Sequence, residues 1–192
     1  MTRRSASPEQ AHHVRTEFNF TVSAPYELAA PLFGPQAERA WATDDWNPQF
    51  LYPETSVPET RMPETRAPAT RAPEPERDIE GAVFQVTRGR HTTTWVNTAF
   101  DLVHGHIQYV YFQPETMATR IIIRLTRSGP ETTGVWVTYE RTALQATANR
   151  RIRRLGKQDQ GNGAQWKAEI ERYLFARLGI PNSLGRGSKR GP

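Results

Sequence analysis

Arg141 and three tyrosines, Tyr109, Tyr111 and Tyr139, are the side chains whose types and spacing could do chemistry inside a fold. Tyr139 and Arg141 alternate with Val137 in the run WVTYERTAL, so an extended chain puts all three on one face. A guanidinium turned inward demands an anion. Glu38 or Asp45 would supply one as an ion pair, and a ligand carboxylate or enolate would supply one as a bound group. If the strand has already ended there, Arg141 is solvated. A buried tyrosine needs a partner for its hydroxyl. Backbone or water would serve, and so would a ligand that is mostly apolar with a few oxygens. Arg141, Tyr139 and Tyr109 are therefore the candidate catalytic groups if a substrate is turned over. A shaped cavity with one or two acid–base groups suffices for a cyclisation or dehydration.

Other chemistries find less support. Glu38 and Trp41 are spaced i, i+3, neighbours on one helical face; with Trp46 they read either as packing or as a pocket mouth with Trp46 as its lid. The histidines are His12, His13, His91, His104 and His106. His104 and His106 flank Gly105 on one side of a predicted turn, but no third ligand accompanies them, so no metal site is expected. Asp44 and Asp45 are adjacent, which does not make an acid–base pair. There is no Ser-His-Asp arrangement, P-loop or dinucleotide fingerprint, and no cofactor is expected. The absence of cysteine excludes a disulfide framework, thiolate zinc sites and a cysteine nucleophile.

The elements that must position these groups alternate in the manner of strands. Residues 17–23, 49–52, 82–88, 91–100, 106–112, 117–127 and 132–144 are rich in β-branched and aromatic residues and are separated by turn signals. Pro31, Gly34 and Pro35 limit residues 26–42 to one or two short helices. Residues 164–178 carry Trp166, Ile170, Tyr173, Leu174 and Leu178 on one helical stripe, stopped by Gly179 and Pro181. A four-residue turn at Leu102–Gly105 pairs Phe100 with Ile107, Thr98 with Tyr109 and Val96 with Tyr111. Those six then share a face with Ile121, Ile123, Leu125, Val137, Tyr139 and Arg141, opposite Trp166, Ile170 and Tyr173. A one-residue slip would invert part of that set.

The net charge of +5 is unevenly placed: residues 1–15 carry +2, RRIRRLGK at 150–157 carries +5, residues 181–192 carry +3, and the remainder carries −5. Nucleic acid is not expected as a partner, because aromatic residues do not interleave with the basic run. RRIRRLGK reads as a solvated linker, or as a weak contact with an anionic membrane through Arg150, Arg151, Arg153 and Arg154. A pentapeptide repeat, PETSV to PEPER, fills residues 53–77 and reads as a disordered loop or a docking segment. Lengthening a loop from ~5 to ~25 residues costs only about 1.4 kcal/mol of closure entropy. It is therefore an insertion into one domain at 16–180, flanked by disordered basic tails at 1–15 and 181–192. The first residues show no apolar run, so no secretory signal is expected and a cytoplasmic location is.

Strand, short helices, a run of antiparallel strands and a long terminal helix make an α+β helix-grip, with six to seven strands curved around the last helix. In this order the sequence resembles the START-like (SRPBCC) superfamily, which includes polyketide cyclases, lipid-transfer domains and pollen-allergen relatives. FNFTVSAPYELAAPLF resembles the first strand and the helix pair it enters. ERAWATDDWNPQFLYP resembles a Glu…Trp…Trp-Pro stretch of uncharacterised bacterial members. GAVFQVTR, TTTWVNTAFD and WVTYERTAL resemble successive strands. The resemblance covers about 140 residues; the repeat is the departure from it. It implies a deep, largely apolar cavity between sheet and terminal helix that binds a lipid, polyketide or similar small hydrophobic molecule. The expected lining is Trp46, Thr98, Phe100, Tyr109, Tyr111, Ile123, Val137, Tyr139, Arg141, Trp166 and Ile170. A cyclase or aromatase enzyme and a ligand-free protein-interaction module are the alternatives.

Overall fold

The computed structural model describes residues 11–43, 46–54 and 77–180. Most of the repeat (55–76), the segments 1–10 and 181–192, and Asp44 and Asp45 lie outside them. Seven strands, β1 (His13–Val22), β2 (Gln49–Tyr52), β3 (Val83–Arg88), β4 (His91–Asp101), β5 (His106–Gln113), β6 (Met117–Gly129) and β7 (Thr132–Ala143), form one antiparallel sheet. Its order is β1-β7-β6-β5-β4-β3-β2, so the chain runs from hairpin to hairpin after the first strand crosses to the far edge. Period-two alternation decides which side chains go in. On β6, Met117, Thr119, Ile121, Ile123 and Leu125 are buried while Arg120, Arg124 and Thr126 are exposed.

Two expectations about boundaries need correction. β1 begins at His13, so residues 13–15 are strand and not tail, pairing with Thr142, Arg141 and Glu140. RRIRRLGK is not a linker: it lies within a helix, α2 (Asn149–Asp159). Its apolar face is reduced to Ile152, Leu155 and Gly156 among five cations, too sparse a stripe to stand out in sequence. Arg77, the last residue of the repeat, is buried, with its guanidinium 5.3 Å from the centre of the Phe50 ring.

Between β1 and β2, a single turn of helix, α1 (Tyr26–Ala29), continues into two 3₁₀ turns, Ala30–Phe33 and Ala37–Ala40. The long terminal helix, α3 (Asn162–Leu178), ends on Gly179 in the left-handed conformation at φ 66°. Both long helices lie on β1. Gly156 lets α2 approach: a Cβ there would lie 2.7 Å from Cγ1 of Val14. α3 is tied to the end of β1 by the buried Glu171, which accepts from the Ser23 N–H (3.1 Å) and pairs with Lys167 (2.7 Å). Val137, Ile170 and Leu174 are fully buried in the core outside the cavity, where truncating Ile170 or Leu174 to Ala should cost about 2–5 kcal/mol.

The β4–β5 register departs from the expected one. Phe100 pairs with Ile107, but the register shifts between Asn97 and Ala99. Beyond that bulge Asn97 pairs with Tyr109 and Trp95 with Tyr111. One extra residue inverts everything after it. Trp95 and Asn97 therefore point inward. Thr98 turns out on the exposed side, where its hydroxyl exchanges hydrogen bonds with Gln108.

Candidate functional site

A cavity of about 500 Å³ opens between the sheet and the two long helices. Its sheet wall comes from one half of the strands: Val86 on β3, Thr93 and Trp95 on β4, Tyr109 and Tyr111 on β5, Ile121 and Ile123 on β6, Tyr139 and Arg141 on β7. α2 contributes Arg151, Leu155 and Asp159, and α3 contributes Trp166. The segment before β2 closes it with Glu38, Trp41 and Trp46.

Seven of the eleven expected lining residues border this space: Trp46, Tyr109, Tyr111, Ile123, Tyr139, Arg141 and Trp166. Four do not. Thr98 is displaced by the bulge. Val137 and Ile170 are packed in the core with no exposure at all, and Phe100, near the end of β4, is partly buried away from the cavity. The expectation treated the whole inner face as cavity wall, whereas half of it is packed core. The lining is also more polar than a largely apolar pocket: Glu38, Arg88, Gln113, Gln158 and Gln165 border it alongside the rings.

Four of the five tryptophans line the cavity: Trp41, Trp46, Trp95 and Trp166. They are held edge to face. Trp46 meets Trp95 at 5.4 Å and 88°, and Trp41 meets Trp166 at 5.9 Å and 64°. Their N–H groups are mostly committed to protein oxygens. Trp41 donates to the Leu32 carbonyl (2.7 Å), Trp46 to that of Pro35 (3.0 Å) and Trp95 to the Thr93 hydroxyl (2.8 Å). The four indoles thus border the cavity with their polar edges mostly satisfied. Trp95 is also stacked on Tyr111 at 4.1 Å between ring centres.

Arg141 is buried and paired, but with neither residue expected. Its partner is Asp159, the last residue of α2: Nη2 donates to Oδ1 at 3.0 Å and Nη1 to Oδ2. Glu38 makes no such pair, and Asp45 lies outside the described residues. Arg141 and Asp159 are 5 % and 4 % exposed, which makes this a structural ion pair in the cavity wall. Burial pushes the Asp159 carboxyl up and Arg141 pulls it back, burial being the larger effect. Arg141 also lies over the Tyr139 ring at 4.5 Å.

The tyrosines divide. The Tyr109 hydroxyl donates to the Phe33 carbonyl, so it is a core tyrosine with its bond made. Among the described residues no hydrogen bond reaches the hydroxyl of Tyr111 or Tyr139. Burial pushes the phenols of Tyr109 and Tyr139 up, so both stay protonated and act as donors, not bases.

Glu38 is the group whose environment stands out. Its position is set from below by a contact between Gly34 and Asp78. A Cβ on Gly34 would lie 2.3 Å from the Asp78 Cγ, so glycine admits that carboxylate. Asp78 accepts from the backbone N–H of Gln36 (2.6 Å) and Ala37 (3.0 Å), fixing the turn that carries Glu38. Glu38 is 7 % exposed and borders the cavity, and among the described residues no hydrogen bond or ion pair reaches its carboxyl. Burial first, and Asp78 second, hold this carboxyl well above the usual range, against a smaller opposing pull from Arg88.

No protein-family model matches the chain, and no curated protein matches it in sequence. Solved structures do match. Norcoclaurine synthase from Thalictrum flavum, solved with dopamine and hydroxybenzaldehyde, superposes at a TM-score of 0.58 with 8 % identity, covering 92 % of this chain and 95 % of that one. The ZhuI aromatase/cyclase from Streptomyces sp. R1128 gives 0.53 with 15 % identity, covering 88 % and 98 %. An uncharacterised protein from Rhizobium leguminosarum gives 0.54 with 14 % identity, covering 88 % and 98 %. The chain has the START-like helix-grip fold. At these identities the likeness carries the architecture alone, and what the cavity does rests on its own residues.

Proposed function

We propose that this START-like protein binds a small, mostly apolar molecule in the cavity between its sheet and its terminal helices. The observation that carries the reading is the combination of about 500 Å³ of space with four indoles around it and polar groups that no neighbour satisfies. Burial of the ligand's apolar body against the rings supplies the driving force, at about 25 cal/mol per Å² of apolar surface. The free hydroxyls of Tyr111 and Tyr139, with Glu38, orient its polar end. Asp159 takes both Nη groups of Arg141, which leaves only its buried Nε–H without a partner among the described residues. The ligands named for the START-like neighbours, dopamine and hydroxybenzaldehyde in one case, are small aromatic molecules with polar substituents, and a molecule of that general kind suits this space.

A cyclase or aromatase activity would rest on two groups that border the cavity, the Glu38 carboxyl, which burial holds well above its usual range, and the protonated Tyr139 hydroxyl. Both can donate to a carbonyl oxygen. Arg141 and Tyr109 are tied to Asp159 and Phe33, which leaves Tyr139 as the original catalytic candidate still free to act. As a separate proposal, α2 makes weak contact with anionic membranes through Arg150, Arg151, Arg153 and Arg154. Among the described residues no helix is long and apolar enough to cross a bilayer.

Native mass spectrometry of the purified protein, followed by organic extraction, tests the binding reading. A bound molecule of a few hundred daltons supports it. A chain free of adduct that also gains no thermal stability from an aromatic ligand panel counts against it.

A further inference from the structure

Glu38 is a carboxyl group, more than nine-tenths buried, that faces the cavity and has no partner for either oxygen among the described residues. A buried polar group without a partner costs stability, and more so if it ionises. The groups that bear on it are few. Asp78 repels its charge from beneath and Arg88, exposed at the end of β3, attracts it. Tyr109 and Tyr139, both protonated, border the same cavity, as do His91, Arg151 and Glu169. The buried cation of the wall, Arg141, is spent on Asp159. Among the described residues no cation is ion-paired with Glu38, although Arg88 and Arg151 also border the cavity, and Trp41, Trp46, Trp95 and Trp166 line the same space.

Indole faces attract cations more strongly than any other side-chain ring. An anionic group placed against Glu38 would face the Asp78 charge behind it and would pair only with Arg88 or Arg151 elsewhere on the lining. A neutral ligand would gain nothing electrostatic from the tryptophans. An ammonium group gains from both the carboxylate and the rings. We propose that the cavity takes an organic cation, an amine with an aromatic or alicyclic body, whose ammonium pairs with Glu38 while its body lies between Trp41, Trp46, Trp95 and Trp166. This deepens the binding reading above and rests on it.

The protons balance in either route. An amine arriving as its ammonium pairs with the Glu38 carboxylate, and the proton that the empty site held goes to solvent. An amine arriving neutral takes that proton from the carboxyl itself. In both cases the complex contains one carboxylate and one ammonium. For the first route affinity rises with pH until the empty carboxyl, held well above its usual range, has given up its proton.

Three isosteric probes test the proposal by calorimetric titration near neutral pH: 2-(2-naphthyl)ethylamine, 2-(2-naphthyl)ethanol and 2-naphthylacetate. The expected order on the wild-type protein is amine first, alcohol about 10-fold or more weaker, and acid weakest. In Glu38→Gln, which keeps the shape of the neutral carboxyl, the amine should lose its advantage over the alcohol. Equal binding of amine and alcohol to the wild-type protein, or an amine preference that survives in Glu38→Gln, overturns the amine proposal and leaves the cavity reading intact. The wild-type comparison decides this even if the variant fails to fold. Failure of all three probes to bind overturns the cavity reading and the amine proposal with it.

Discussion

Arg141 on β7 and Asp159 at the end of α2 meet as a two-pronged ion pair with almost no access to water, Nη2 to Oδ1 at 3.0 Å. The pair pins the second helix to the sheet where the cavity wall turns, and every other claim about the cavity depends on that wall staying in place.

Removing one partner leaves the other charge buried alone. Arg141→Ala should therefore lose about 3–5 kcal/mol in urea denaturation, while the apolar double replacement Arg141→Met with Asp159→Leu should recover most of it. A single variant as stable as the wild type would mean that the pair is not structural.

Glu38 predicts a pH effect on stability. Its folded pKa lies above the ordinary 4.5, so the folded state holds the proton to higher pH than the unfolded state does. Its contribution is fully present below about 4.5 and is lost as pH rises from there through the folded value. Glu38→Gln removes that loss. The Tm of the variant relative to the wild type should climb as pH rises above about 4.5, and a difference independent of pH would contradict the assignment.

The strand pattern was readable because alternation of apolar and polar residues is a local property. All seven strands fall within a few residues of where β-branched runs and turn residues place them. The bulge at Thr98 was not readable, since nothing in TTTWVNTAF distinguishes an inserted residue from a paired one, and it exchanged Thr98 and Val96 for Asn97 and Trp95. α2 was missed because its inward face holds just two large apolar residues, Ile152 and the half-buried Leu155, with Gly156 and Asp159 beside them at i, i+3, i+4 and i+7. That spacing was the available signal, and it also carries the true partner of Arg141. Val137 and Ile170 were placed on the correct inner face, but sequence periodicity does not say which half of a face is packed and which is hollow.

The two free phenols should separate from the committed one. Tyr139→Phe and Tyr111→Phe should weaken binding of an oxygen-bearing ligand while leaving Tm nearly unchanged. Tyr109→Phe, which orphans the Phe33 carbonyl, should cost stability on the order of 0.5–3 kcal/mol. The reverse pattern in a thermal melt and a ligand titration would refute the division.

α2 carries an arrangement that costs stability in isolation. Arg150 and Arg151 sit in its first turn, where the helix dipole disfavours cations. Arg150 with Arg154, and Arg153 with Lys157, are like charges at i, i+4, each unfavourable by roughly 0.2–0.5 kcal/mol. Wild-type protein should co-sediment with vesicles containing phosphatidylserine and lose that binding as salt is raised, at about 1 kcal/mol per basic residue. Arg150→Glu with Arg154→Glu should abolish it. Equal binding to neutral phosphatidylcholine vesicles would refute the contact.

The central claim is that the cavity between sheet and helices is where a ligand sits. It is tested most directly by fluorescence titration with the uncharged probe N-phenyl-1-naphthylamine, comparing the wild-type protein with Ile121→Trp, which fills the space from the β6 wall. The account predicts one saturable site in the wild type and its loss in a variant that melts cooperatively. Saturable binding that persists unchanged in the filled variant, or no saturable binding in the wild type, would contradict it.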